Sequence, residues 1–99
     1  MASTKEYKDY VLEQLSICEN ISYRPMMGEY LLYLDGKLFG GIYDDRLLVK
    51  KVKTNSKYNM GEAIPYDGAK AMYLVSDLDN LDLLRDIILD TCMGLNDYL

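Results

Sequence analysis

The sequence contains no histidine and no tryptophan, and only two cysteines, two prolines and one phenylalanine among its 99 residues. Without histidine it lacks the usual general base near neutral pH, the Ser-His and Cys-His nucleophile pairs, and most zinc sites. Catalysis would have to depend on carboxylate, lysine or tyrosine side chains. We therefore expect a protein that is not an enzyme and that needs no metal or cofactor.

The two cysteines, Cys18 and Cys92, lie far apart, and no Cys-x-x-Cys motif is present. This usage favours buried free thiols in a reducing compartment over a disulfide. The first ten residues are polar and lack the apolar core of a signal peptide. No apolar run approaches the roughly 20 residues of a membrane span. The sequence thus predicts a cytoplasmic protein without membrane contact.

The net charge is −5, which argues against sequence-independent binding to nucleic-acid phosphates. The charge is uneven, however, because a basic segment precedes an acidic C-terminal stretch. The favoured interpretation is two solvated surfaces that attract each other weakly, and the alternative is a phosphate-binding strip in which Tyr43 and Tyr58 stack on bases. The residues of this basic strip are Arg46, Lys50, Lys51, Lys53 and Lys57.

The length fits a single domain over residues 1–99, with an ordered core at about 3–95. Its centre reads as an antiparallel meander, since apolar strand formers alternate with two tight turns, Asp35-Gly36 and Asp44-Asp45. The strands predicted for the meander are Tyr30–Leu34, Leu38–Tyr43 and Leu47–Val52. Ile21–Met27 and Ala71–Val75 read as further strands.

Residues that face each other across a two-residue hairpin share one side of the sheet. The predicted pairs are Leu34 with Lys37, Leu32 with Phe39, and Tyr30 with Gly41. This register places on one face Leu31, Tyr33, Leu38, Ile42, Leu47 and Val49. If both terminal helices cover that face, the other face is left for a two-fold dimer, whereas one helix on each face needs no partner. The expected interface is Tyr30, Leu32, Phe39, Tyr43 and Leu48.

Two amphipathic helices are predicted at the ends of the chain. The first begins with a Ser3-Thr4-Lys5-Glu6 capping box and ends around Glu19-Asn20. The second begins at Asp77 or Asp79, and Gly94 is placed to end it. With the meander, these helices predict an α+β fold with a central antiparallel β-sheet.

The segment 62–70 reads as a loop, since Pro65 fixes φ and Asp67-Gly68 offers a tight turn. A ligand pocket roofed by this loop is the weakest of the functional hypotheses. Its candidate residues are Glu29, Tyr66, Asp67 and Lys70.

The block from Arg24 to Lys50 resembles the TfoX/Sxy N-terminal domain family. The resemblance rests on the ordered motifs Asp-Gly-Lys (35–37), Phe-Gly-Gly (39–41) and Asp-Asp-Arg-Leu (44–47), with the later Pro-Tyr-Asp-Gly-Ala-Lys (65–70), and it spans about Tyr7 to Leu95. It implies a secretion-chaperone-like layout, a link to regulators of competence for DNA uptake, and no catalytic residues. Many members have Met-Phe-Gly-Gly where this chain has Met-Met-Gly-Glu (26–29), and we expect no counterpart of the second domain of full-length competence regulators.

Three hypotheses about function follow. The favoured one is a non-enzymatic interaction domain that binds itself or a protein partner through an apolar sheet face. A regulator that contacts nucleic acid through the basic strip comes second, and a small ligand-binding protein comes third. Binding that weakens steeply with salt would favour the second over the first.

Overall fold

The computed structural model describes residues 3–96 and has an α+β fold with one six-stranded antiparallel sheet. The strand order is β1-β2-β3-β4-β6-β5, so the predicted meander forms the middle of the sheet. The elements in chain order are α1 (Lys5–Leu15), β1 (Ile21–Met26), β2 (Glu29–Leu34), β3 (Lys37–Ile42), β4 (Leu47–Val49), a 3₁₀ helix (Lys53–Tyr58), β5 (Glu62–Ala63), β6 (Met72–Val75) and α2 (Leu81–Asn96).

Both α-helices pack on the same face of the sheet, which we call the helix-covered face. Val11 and Leu15 of α1 and Leu84 and Ile88 of α2 are fully buried in one cluster with the sheet. The sheet contributes to this cluster Leu32, Leu34, Phe39, Ile42, Leu47, Val49 and Val75. No α-helix within residues 3–96 covers the opposite face, which we call the groove face. Its side chains are Leu31, Tyr33, Leu38, Tyr43, Leu48, Met72 and Leu74.

The predicted register is correct next to the turn, where Leu34 pairs with Lys37, and wrong beyond it. A β-bulge inserts Phe39 as an extra residue in β3, so Leu32 pairs with Gly40 and not with Phe39. Gly40 allows the bulge, because a Cβ there would collide with the backbone carbonyl of Leu48. The bulge reverses which side each later residue of β3 faces.

The five-residue interface expected from the sequence is therefore not formed as one surface. Leu32 and Phe39 are completely buried beneath the helices, and Tyr30 packs against the same core. Tyr43 and Leu48 lie on the groove face, yet they are only 6% and 0% exposed. The prediction that these side chains form one exposed patch is wrong, because it carried an unbulged register through the two consecutive glycines.

The helix ends also differ from the sequence-based prediction. Thr4 caps α1, and its hydroxyl accepts a bond from the Tyr7 N–H at 3.1 Å, whereas Ser3 bonds elsewhere. This helix ends at Leu15, short of the predicted residues. α2 begins at Leu81 because the Asn80 side chain caps it by accepting a bond from the Leu83 N–H at 3.2 Å, and the Asp77 carboxylate holds the turn before it.

Gly94 is inside α2 and does not end it. A Cβ at this position would lie 2.6 Å from Val52 and 2.5 Å from the Thr54 hydroxyl. The glycine is explained by the close approach of the 3₁₀ helix. No helix within the described residues 3–96 has both the length and the apolar character to cross a membrane.

Candidate functional site

The main concave feature is an open groove of about 950 Å³ on the groove face. Its floor includes Leu31 and Leu38 from the hairpin of β2 and β3, together with Met72 from β6. The loop between β5 and β6 forms one wall, and Leu95 of α2 reaches the groove from its end. Most of the lining is therefore apolar, as is typical of surfaces that bind proteins or ligands.

The loop wall is held by contacts of its first residues, Ile64, Pro65 and Tyr66. Pro65 is buried, and the ring of Tyr66 packs against Tyr43 with centroids 6.2 Å apart and planes at 53°. At the start of the loop, the Arg46 guanidinium donates to the Ile64 carbonyl at 3.2 Å. These contacts place Tyr66, which is 60% exposed, beside the groove.

Gly41 explains how Tyr43 fits against the sheet. A Cβ on Gly41 would lie 2.7 Å from the Tyr43 ring and 2.7 Å from the Tyr30 carbonyl oxygen. The missing side chain thus lets the ring lie over β3, where burial raises the pKa of the Tyr43 phenol and the neighbouring Tyr66 adds to the effect. Tyr43 acts here as an apolar support for the loop and not as an acid or base.

The described charged residues that line the groove are all lysines. They are Lys50, Lys51 and Lys70, and no Asp or Glu within residues 3–96 belongs to the lining. Lys51 is partly neutralised, because its ammonium lies 3.0 Å from the Glu62 carboxylate and 5.5 Å from the Tyr73 ring centroid. Lys50 and Lys70 have no ion pair among the described residues.

The predicted loop site is only partly brought together. Tyr66 and Lys70 line the groove, and Asp67 is exposed in the turn of the same loop. Glu29 serves a different purpose, since its carboxylate accepts bonds from the Ser3 N–H at 2.9 Å and the Asp44 N–H at 3.0 Å. It fastens the residues before α1 to the turn between β3 and β4.

The predicted basic strip is divided among several environments. Arg46 is engaged with backbone carbonyls, and Lys57 lies 3.1 Å from the Asp90 carboxylate. Lys50 and Lys51 line the groove, while Lys53 is exposed outside it. A continuous row of five free cations is absent from this segment.

The tyrosines that could stack on bases are also engaged. Tyr43 is 6% exposed beneath the loop. The Tyr58 hydroxyl donates to the Asp90 carboxylate at 2.5 Å, and burial followed by this bond raises the pKa of Tyr58 to about 12. The bond from Tyr58 also lowers the pKa of Asp90.

Sequence reasoning missed two features of the site. Leu38, Met72 and Pro65 of the groove were absent from every candidate set, and no local signal in the sequence joins them, because they meet only through the strand order of the sheet. The Tyr58–Asp90 contact was also missed, since it joins the 3₁₀ helix to α2 across 32 residues of sequence. The Asp90 side chain is only 18% exposed.

The described residues show little reactive chemistry. Within residues 3–96, no group of three or more His, Cys, Asp or Glu side chains is placed to hold a metal ion. Burial raises the pKa of the Cys92 thiol to about 11 and raises that of Cys18 as well. Neither thiol is therefore activated as a nucleophile by its surroundings.

Comparisons with known proteins place these features in context. The family model described as the TfoX N-terminal domain matches residues 13–78. An uncharacterised 12.7 kDa protein in the trpE 5′ region of Spirochaeta aurantia is 31% identical over 80 residues, which cover 79% of this chain and 70% of the relative. No solved structure matches the chain.

Proposed function

This chain belongs to the TfoX N-terminal domain family, and we propose that it is a non-enzymatic regulatory domain that acts by binding a protein partner in its groove. The family is one of small domains of the competence-regulator kind. The observation that carries the proposal is an apolar groove on the sheet face that the two helices leave uncovered. A cleft of this volume with an apolar lining and a few polar groups is the usual form of a binding site.

The groove supports a protein partner better than a nucleic-acid partner. Nucleic-acid binding needs free cations along a track and accessible stacking rings. Arg46 and Lys57 are engaged within the protein, and Tyr43 and Tyr58 are covered or hydrogen-bonded. The partner could be a second copy, as the sequence suggested, only through surfaces other than the buried Leu32 and Phe39.

The test compares capture of partners by three tagged forms of the chain in native cytosol, with and without nuclease. Leu38→Asp places a charge on the groove floor, and Leu89→Asp makes the same change on the outer face of α2, where Leu89 is 45% exposed. We expect wild type and Leu89→Asp to retain the same protein after nuclease treatment. Leu38→Asp should lose it while keeping its circular dichroism spectrum.

Two outcomes would contradict the proposal. One is equal retention of the protein by folded Leu38→Asp, which would place the contact outside the groove. The other is loss of all captured material after nuclease treatment, which would indicate nucleic acid as the bridge. If Leu38→Asp does not fold, Met72→Asp replaces it as the variant that places a charge in the groove.

A further inference from the structure

The lining of the groove combines an apolar floor with three lysines. The whole chain carries 16 acidic and 11 basic residues, yet the described residues that line the groove include three lysines and no carboxylate. Acidic residues outnumber basic ones over the whole chain, so a surface whose described charged residues are all lysines differs from the rest of the protein. We infer that the groove binds an apolar segment of a partner protein that carries Asp or Glu side chains, a refinement that rests on the proposed function.

Lys50 and Lys70 are the two lysines free to recognise those carboxylates. Lys50 follows β4 and approaches from the sheet, whereas Lys70 belongs to the loop that forms the wall. Both lack an ion pair among the described residues, in contrast to Lys51 with its Glu62 partner. A carboxylate on the segment would therefore gain attraction without breaking an existing pair in this protein.

The net negative charge of the chain does not oppose this recognition at short range. Charges more than about 8–10 Å from the groove are largely screened at physiological salt. The outer carboxylates of α2, such as Asp82 at 89% exposure, belong to the helix on the opposite side of the sheet. Glu62 pairs with Lys51, and Lys50 and Lys70 are the remaining charged residues of the described lining that a bound segment would meet.

The apolar floor supplies the other half of the specificity. Leu31, Leu38 and Met72 are half-buried on a sheet surface, and side chains of Leu, Met or aromatic type would cover them. Carboxylates at the lysines then set position and orientation, as charged groups commonly do at interfaces. The predicted partner sequence consequently mixes apolar and acidic residues, and it excludes basic ones.

The test uses three labelled synthetic peptides that share the same leucine positions and differ only in their polar residues, which are glutamate, glutamine or lysine. Binding is followed by fluorescence anisotropy. We expect the glutamate peptide to bind most tightly and the lysine peptide least. Lys50→Gln and Lys70→Gln should each lower the affinity for the glutamate peptide by about two- to five-fold, which is the range of an exposed ion pair. The affinity for the glutamine peptide should not change.

Lys53→Gln is the matched control, since it removes the same charge from an exposed position outside the groove. An equal loss with Lys53→Gln would mean nonspecific attraction and would overturn the inference. So would equal affinity for the three peptides, or a dimer in sedimentation that Leu38→Asp dissociates, because a second copy would then fill the groove. If no peptide binds while capture from cytosol still depends on Leu38, this inference fails and the proposed function stands.

Discussion

At the scale of single residues, the turn between β2 and β3 depends on glycine for conformational reasons alone. Gly36 has φ +79°, and no heavy atom lies within 4 Å of the place where its Cβ would be. We expect Gly36→Val to lower the free energy of unfolding by more than about 1 kcal/mol, because a β-branched residue is strained at positive φ. Urea denaturation measures this change.

Gly61→Ala is the control for the turn, because its surroundings are equally open and its φ is not in the left-handed region. We expect a change within about 0.5 kcal/mol there. If Gly36→Val proved as neutral as Gly61→Ala, the strain argument for the hairpin would be refuted.

Asp90 gives the fold a defined dependence on pH. The bonds from Tyr58 and Lys57 hold the pKa of this carboxyl below its usual value of 3.8. A depressed pKa stabilises the folded state above the unfolded-state pKa, and the contribution is lost as the pH falls through the folded-state value. We expect Asp90→Asn to cost about 1–2 kcal/mol at pH 7 and the difference to vanish in acid.

Urea denaturation of the wild type and of Asp90→Asn, from pH 7 down into the acid range, measures the effect. Asp86→Asn is the control, since Asp86 is on the same helix and is 57% exposed. A loss that persisted unchanged in strong acid would contradict the argument, because the carboxylate would then not be its source.

At the scale of elements, Gly94 decides how closely α2 approaches the 3₁₀ helix. Two effects oppose each other in Gly94→Ala. Helix propensity favours alanine by about 1 kcal/mol, whereas a side chain 2.6 Å from Val52 forces the two helices apart. Overpacking in a close contact costs about 1–3 kcal/mol, so we expect net destabilisation or no gain.

Thermal melting measures this balance, with Met93→Ala as the control on the exposed side of α2. Met93 is 54% exposed, so its truncation should alter the melting temperature little. A clear stabilisation by Gly94→Ala would show that the helix does not contact the 3₁₀ helix in this way.

The sequence correctly predicted the helices, the meander strands and their turns. The prediction failed in β3, where one extra residue reverses which face of the sheet the later side chains point to. Local signals identified the meander, its two turns and both helices, because these depend on neighbours in sequence. The bulge at Phe39 depends on how Gly40 meets the Leu48 backbone, which is a contact between strands. Periodicity therefore grouped the apolar residues correctly before Phe39 and again after it. It then assigned the second group to the wrong face of the sheet relative to the first.

At the scale of the whole molecule, the candidate site was predicted only in fragments for the same reason. Tyr66 and Lys70 were found because turn chemistry marks their loop, and Lys50 was found because it is basic. Their meeting over Leu38 and Met72 requires the strand order β4-β6-β5, which no local signal encodes. The sequence alone could not reveal that cations and apolar floor belong to one surface.

The core also makes the reactivity of Cys92 a measure of global stability. This thiol is 6% exposed among residues of both helices and the sheet, and burial raises its pKa to about 11. A thiol reagent should therefore reach it only when the whole core opens, whereas the half-buried Cys18 should react earlier. In Cys18→Ser, which leaves a single thiol, we expect labelling of Cys92 to rise with urea in parallel with the loss of circular dichroism. In Cys92→Ser, where Cys18 is the only thiol, we expect labelling to be fast before the protein unfolds. Fast labelling of Cys92 itself in folded protein would mean that α2 detaches locally from the sheet.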